Sequence, residues 1–261
     1  MKKLALATVL AGIGATSALA ADLGARAPYS KAPAMMAAVS NWSGFYIGGN
    51  VGYGWGENDT AFAFLPSQSV FSANNATLGV SSRGVIGGAQ LGYNLQVGAI
   101  VLGLETDIQG AGISGSATKQ PTFFPATTLV PGASLVADQK ISWFGTSRVR
   151  LGFTVTPELL FYGTGGAAYG EIKTKVNSSF PLQGAFDNPA ALSRTKLGWT
   201  AGAGAEWMFA RNWSAKLEYF YVDLGETSVI GLASNGASGL GVRYNWKNQD
   251  HIVRGGVNYH F

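Results

Sequence analysis

Apolar and polar residues alternate along most of this chain with a period of two, the pattern of strands with one dry face and one wet face. The final stretch, HIVRGGVNYHF, carries it plainly. Val253, Gly255, Val257, Tyr259 and Phe261 share one face, and Arg254, Gly256, Asn258 and His260 the other. Seven earlier segments repeat the pattern. In WSGFYIGGNVGYGW (42–55), Phe45, Ile47, Val51, Tyr53 and Trp55 fall together. Val85, Ala89, Leu91 and Tyr93 oppose Gln90 and Asn94; Ile100, Leu102, Leu104 and Ile108 oppose Glu105 and Asp107. Trp143, Val149, Leu151 and Phe153 oppose Arg148 and Arg150; Leu159, Phe161, Ala167 and Tyr169 oppose Tyr162 and Thr164. Trp199, Ala201, Ala203, Ala205 and Trp207 oppose Thr200 and Glu206. Trp213, Ala215, Leu217, Tyr219 and Tyr221 oppose Ser214, Lys216 and Glu218.

The connections between these segments alternate in length. Three are short, near 95–99, 155–158 and 208–212. Four are long, roughly 25 to 30 residues each, over 56–82, 110–139, 171–196 and 225–250. Eight strands joined in this way predict an antiparallel transmembrane up-and-down β-barrel over 42–261, with tight periplasmic turns and long extracellular loops. An even strand number places both ends of the barrel in the periplasm, and Asn75 and Asn188 are expected on the extracellular surface. The aromatic residues fit this orientation. Phe45, Tyr93, Phe153, Phe161, Trp207, Trp213, Tyr259 and Phe261 gather at one end, and Tyr53, Trp55, Trp143, Tyr169, Trp199 and Tyr221 at the other. These are the two girdles of a membrane-spanning barrel. A water-soluble barrel would instead turn the glycine-rich, charge-poor faces outward, which makes a poor soluble surface.

The N-terminus changes the picture by adding an address. MKKLALATVLAGIGATSALA has a basic start at Lys2 and Lys3, a short apolar run and a small-x-small site at Ala18 and Ala20. It predicts a cleaved secretory signal over 1–20, since the run is too short for a membrane helix. The following Ala- and Pro-rich stretch, 21–41, is expected to be a flexible periplasmic leader. No later run is long enough for a membrane helix. The chain has no cysteine, which excludes disulfides and thiolate metal sites. Removing Lys2 and Lys3 from a net charge of +4 leaves +2, too little and too scattered for nucleic acid.

Eight strands make a narrow barrel filled by side chains. The expected inward set includes Glu105, Asp107, Arg148, Arg150, Glu206, Lys216, Glu218 and Arg254, four acids and four bases. Glu105 and Asp107 lie on the strand beside Arg148 and Arg150, so cross-strand pairing is natural, and inward glycines leave room for long side chains. A compensated plug is favoured over an ion path, because a buried charge left unpaired is costly. Catalytic patterns are weak. Gly163-x-Gly165-x-x-Ala168 mimics a dinucleotide fingerprint but falls within a strand with no helix after it. His251 and His260 lack the partners of a catalytic or metal site, so no enzyme activity, cofactor or metal is expected.

Several blocks in this order resemble the RopB-type outer-membrane immunogenic proteins of alphaproteobacteria, a porin-like group related to the OmpA membrane domain. They are WSGFYIGGNVGYGWG, WFGTSRVRLGFT, LLFYGTGGAAYG, GWTAGAGAEWMF, WSAKLEYFYVDLG and VRGGVNYHF. The resemblance runs from about Trp42 to Phe261. It implies a Gram-negative outer-membrane barrel with surface-exposed loops and a contribution to envelope integrity. The expected partners are outer-membrane lipid and lipopolysaccharide, periplasmic chaperones and the barrel-assembly machinery. For that machinery, Val257, Tyr259 and Phe261 resemble the terminal assembly signal. A small-solute porin, and a surface protein binding haem or a host ligand through its loops, stand as alternatives.

Overall fold

The computed structural model describes residues 41–65, 76–120, 132–180, 186–232 and 241–261. The expected signal, its cleavage site at Ala18 and Ala20, the leader up to residue 40, and Asn75 lie outside these residues. The described chain is all strand: β1 (Gly44–Leu65), β2 (Ala76–Val97), β3 (Ile100–Lys119), β4 (Ser134–Thr156), β5 (Leu159–Phe180), β6 (Phe186–Asp187), β7 (Ala190–Ala210), β8 (Trp213–Leu232) and β9 (Gly241–His260). β6 is a two-residue strand paired to the end of β5. The other eight form a closed antiparallel ring, in which each strand pairs with its chain neighbours and β1 also pairs with β9. Closure leaves no edge strand, which is what a bilayer interior demands of a sheet.

Three two-residue turns join strands at one end: Gly98–Ala99, Pro157–Glu158 and Arg211–Asn212. Gly98 adopts a φ of 61°, a left-handed conformation suited to glycine. Above these turns the alternation is realised as read. Val51, Leu104 and Leu217 are more than 60% exposed on the outer wall, while Glu105 and Lys216 beside two of them are buried. Both girdles form as ring contacts. At the turn end Phe45 meets Tyr93 at 4.8 Å, and Tyr259 meets Trp213 and Phe261, each at 5.2 Å. At the other end Trp199 meets Tyr221 at 5.4 Å and Trp143 meets Tyr169 at 6.4 Å.

The ring strands run 20 to 23 residues, about twice what a bilayer needs. The long connections are therefore largely strand. The wall continues past the outer girdle, and the chemistry of its two faces inverts there. On β1, Tyr53 and Trp55 point outward, then Glu57 and Asp59 do, while Thr60 and Phe62 are buried inside. On β5, Lys173 and Lys175 face out and Ile172 and Val176 face in; on β9, Arg243 and Lys247 face out and Tyr244 and Trp246 face in. Below the girdle the solvent of the outer wall is hydrocarbon; above it the solvent is water, and the usual apolar-in rule returns. Asn188 is buried rather than on the surface. Pairing of β6 back onto β5 carries it inward, where its amide donates to the Ser178 carbonyl at 2.9 Å and its carbonyl accepts from Tyr244 Oη at 2.6 Å.

The interior is layered. At the turn end Trp42, Val101, Leu160, Tyr162 and Met208 pack together. The charged residues follow. Above them lies an apolar layer of Ile86, Ile113, Ile141, Phe144, Ile172, Phe220, Val222, Leu224 and Ile252. The extension beyond the girdle has its own core of Phe62, Leu78, Val80, Leu135, Val176, Val242, Tyr244 and Trp246.

Candidate functional site

The eight charges expected inside the barrel are all buried and form one network. Each sits on the inward parity of its strand. Three complementary pairs face each other directly across neighbouring strands: Glu105 and Arg148, Glu206 and Lys216, Glu218 and Arg254. Two of these register pairs are ion pairs, Glu105 with Arg148 and Glu218 with Arg254, but Glu206 and Lys216 are not. Lys216 reaches across the lumen to Glu105 at 2.9 Å and back to Glu218 at 3.0 Å. Glu206 is instead bound by Arg150, two strands away.

Glu105 is the hub. Its carboxylate accepts from Arg148, from Tyr46 Oη at 2.8 Å, from Lys216 at 2.9 and 3.1 Å and from Arg254 at 3.1 Å, with Arg150 at 3.5 Å. Asp107 accepts from Thr146 Oγ1 at 2.7 Å and lies 3.1 Å from both Arg148 and Arg254. Glu218 accepts from Arg254 Nε at 2.7 Å and Tyr162 Oη at 2.8 Å. Glu206 accepts from Ser214 and Asn258, each at 2.6 Å, with His260 Nε2 at 3.5 Å. An amide relay extends the network around the wall: Asn50 donates to Gln90 at 2.8 Å, and Gln90 donates to Asn258. Four carboxylates and four cations balance, so no charge of this network is buried without an opposite partner.

Aromatic rings complete the site, and their role was missed in the sequence. The alternation turns Tyr162 inward, but nothing in the sequence marks what its ring does there. The Arg150 guanidinium lies 3.9 Å from the Tyr162 ring centre and 5.4 Å from that of Tyr46. Arg148 and Arg254 lie 4.9 and 4.8 Å from the ring of Phe220. These stacks cover guanidinium faces that the carboxylates do not reach. Glycines make the space, as expected. A side chain at Gly92 would run into the Tyr46 ring, and one at Gly204 into the Tyr162 ring and Glu218. The signal for these rings was parity: Tyr46, Tyr162 and Phe220 occupy the polar face of their strands. Trp42 is fully buried; its indole N–H donates to the Pro157 carbonyl at 3.0 Å and its ring meets His260 edge-on at 5.7 Å.

The remaining candidates do not join this network as chemistry. His251 lies at the outer girdle, bonded to Tyr219 Oη at 2.7 Å and stacked on Trp55. Gly163, Gly165 and Ala168 are within β5. Val257, Tyr259 and Phe261 lie on the outer wall at the turn end, where the Phe261 amide donates to the Phe45 carbonyl at 3.0 Å. No group of acids and histidines with metal-binding geometry occurs among the described residues.

Comparison with known proteins adds the wider setting. The family model for the outer membrane protein beta-barrel domain matches residues 7–261. The 31 kDa outer-membrane immunogenic protein of Brucella melitensis is 38% identical over 266 residues, covering all of both chains. The 22 kDa outer membrane protein of Rhizobium leguminosarum bv. viciae is 31% identical over 185 residues, covering 71% of this chain and 65% of that one. Among solved structures, OprG from Pseudomonas aeruginosa aligns with a TM-score of 0.49 and 10% identity, covering 85% of this chain and 99% of that one.

Proposed function

This chain belongs to the outer membrane protein beta-barrel domain family, and from that premise we propose that it is a non-catalytic structural protein of the outer membrane with a sealed lumen. The turn end faces the periplasm, and the long extension stands outside the cell as a surface antigen. The barrel contributes to envelope integrity and offers its outer wall and upper rim to surface partners, lipopolysaccharide among them. One observation carries the reading. From Trp42 upward the interior is packed by an apolar layer, a charge-balanced ionic layer and a second apolar layer. A hydrated ion on this path would have to part paired buried charges and then cross a dry layer, and each step is costly.

The test is single-channel recording of the refolded protein in a planar bilayer. We expect no steady current. Steady open-channel currents would overturn the sealed lumen and favour a small-solute porin.

A further inference from the structure

On the outer wall just above the girdle, the sequences ADQKISW of β4 and YGEIKTKV of β5 place one pair of like charges side by side. Trp143 lies opposite Glu171, Lys140 opposite Lys173 and Asp138 opposite Lys175. Trp143 and Tyr169 belong to the outer girdle, and the Lys140–Lys173 pair lies three residues beyond Trp143 on β4 and four beyond Tyr169 on β5, roughly 10–13 Å along the tilted strands. That is the outer edge of the headgroup region. Directly opposed like charges destabilise a sheet unless an anion comes between them. Glu171 serves only Lys173, at 3.1 Å, and also accepts from Ser193. Among the described residues Lys140 and Lys175 have no ion-pair partner, and Asp138 has none either. A groove of about 620 Å³ runs between them, lined by the three lysines, Asp138, Ser114 and Ser116. Elsewhere at this height, outward cations are interspersed with acids: Arg83 and Lys247 have Glu57, Asp59 and Glu226 nearby on the ring.

We propose that this groove docks the phosphorylated headgroup of an outer-leaflet glycolipid, held by Lys140 and Lys175. With Lys173 neutralised by Glu171, the groove sets the ammoniums of Lys140 and Lys175 against the single carboxylate of Asp138, and two serine hydroxyls can donate to phosphate oxygens. Directly below it lie the girdle rings and an apolar wall including Val149 and Ile108. A phosphate attached to acyl chains matches both surfaces at once, whereas a free phosphate matches only the upper one. The inference rests on the extension lying outside the cell.

The experiment is native mass spectrometry of the full refolded barrel. It is offered bisphosphorylated lipid A, the same lipid without phosphates, and phosphatidylglycerol. The parent protein is expected to retain the bisphosphorylated lipid. Lys140→Gln with Lys175→Gln should lower retention about tenfold, and Lys247→Gln on β9 should change it little. Heat-modifiable gel mobility checks that each variant is folded, and the two single lysine variants carry the comparison if the double does not fold. Equal retention by the double variant, equal loss in Lys247→Gln, or equal retention of the dephosphorylated lipid overturns the site. Displacement by millimolar inorganic phosphate overturns the lipid source. Preference for phosphatidylglycerol overturns the outer-leaflet assignment and with it the orientation. None of these outcomes depends on whether the lumen conducts.

Discussion

At the scale of single residues, the ionic layer should be brittle because its parts are shared. Glu105 neutralises groups from β4, β8 and β9 at once. Glu105→Gln leaves a buried positive excess and should cost about 3–5 kcal/mol in urea unfolding from lipid or detergent. A loss below about 1 kcal/mol would show that water or rearrangement relieves the charge. On the other face, Leu217 is 62% exposed to hydrocarbon. Leu217→Arg should cost about 2–4 kcal/mol by the same measurement, and tolerance of it would mean that the faces are exchanged. Tyr244 lies well beyond the girdle, where burial pushes its phenol up to about 12. The fold thus favours the neutral phenol. That contribution is complete below the unfolded value near pH 10 and fades as pH rises to about 12. Tyr244→Phe should flatten this alkaline loss, at a cost near neutrality of about 1–3 kcal/mol from the Asn188 carbonyl left without its donor.

At the scale of elements, each strand serves two solvents. The lower half reads apolar outward and the upper half apolar inward; parity is kept on β1, β5 and β9 and shifts by one residue at the bulges of β4 and β8. This sets where reporter groups belong. Asn188 is buried, so a cysteine there would report little about sidedness. Asp59→Cys and Lys247→Cys, both on the outer wall of the extension, should label on intact cells with an impermeant reagent. Ala99→Cys in the β2–β3 turn should label only after the outer membrane is broken. The reverse pattern would invert the barrel. At the end of β9, Tyr259 and the following Phe261 add an exposed girdle contact whose loss a closed ring can absorb. If Val257, Tyr259 and Phe261 are read by assembly machinery, deleting Phe261 should sharply lower folded protein in cellular outer membranes. Its urea stability after refolding without that machinery should change little. Equal losses in both assays would leave Phe261 an ordinary girdle aromatic.

At the scale of the whole molecule, the proposed seal would be redundant. Apolar layers lie on both sides of the ionic one. Removing a neutral pair, Glu105→Ala with Arg148→Ala, should therefore weaken the barrel without making it conduct. Steady currents in that variant would show that the ionic layer alone had closed the lumen.

The sequence by itself determined the ring of eight strands, the identity of the outward and inward faces below the outer girdle, the two girdles and the eight interior charges. These follow from a period of two read against a single solvent, and every residue needed for them is local to its strand. The places of the three short turns were legible for the same reason, though not their two-residue length. The upper half of the barrel was not. There Phe62, Val176, Tyr244 and Trp246 sit on the parity that carries charge and glycine lower down, so the segments looked like unpatterned loops. The alternation persists, but its chemistry reverses where lipid gives way to water, and only strand pairing across the ring exposes that. Tertiary structure also decided who pairs with whom inside. Glu206 and Lys216 are cross-strand neighbours, yet Glu206 is bound by Arg150 and Lys216 by Glu105 and Glu218. Across a narrow lumen, long side chains reach partners on distant strands, and the rings of Tyr46, Tyr162 and Phe220 steer them there. That choice depends on the closed circumference of the barrel, which no single strand contains.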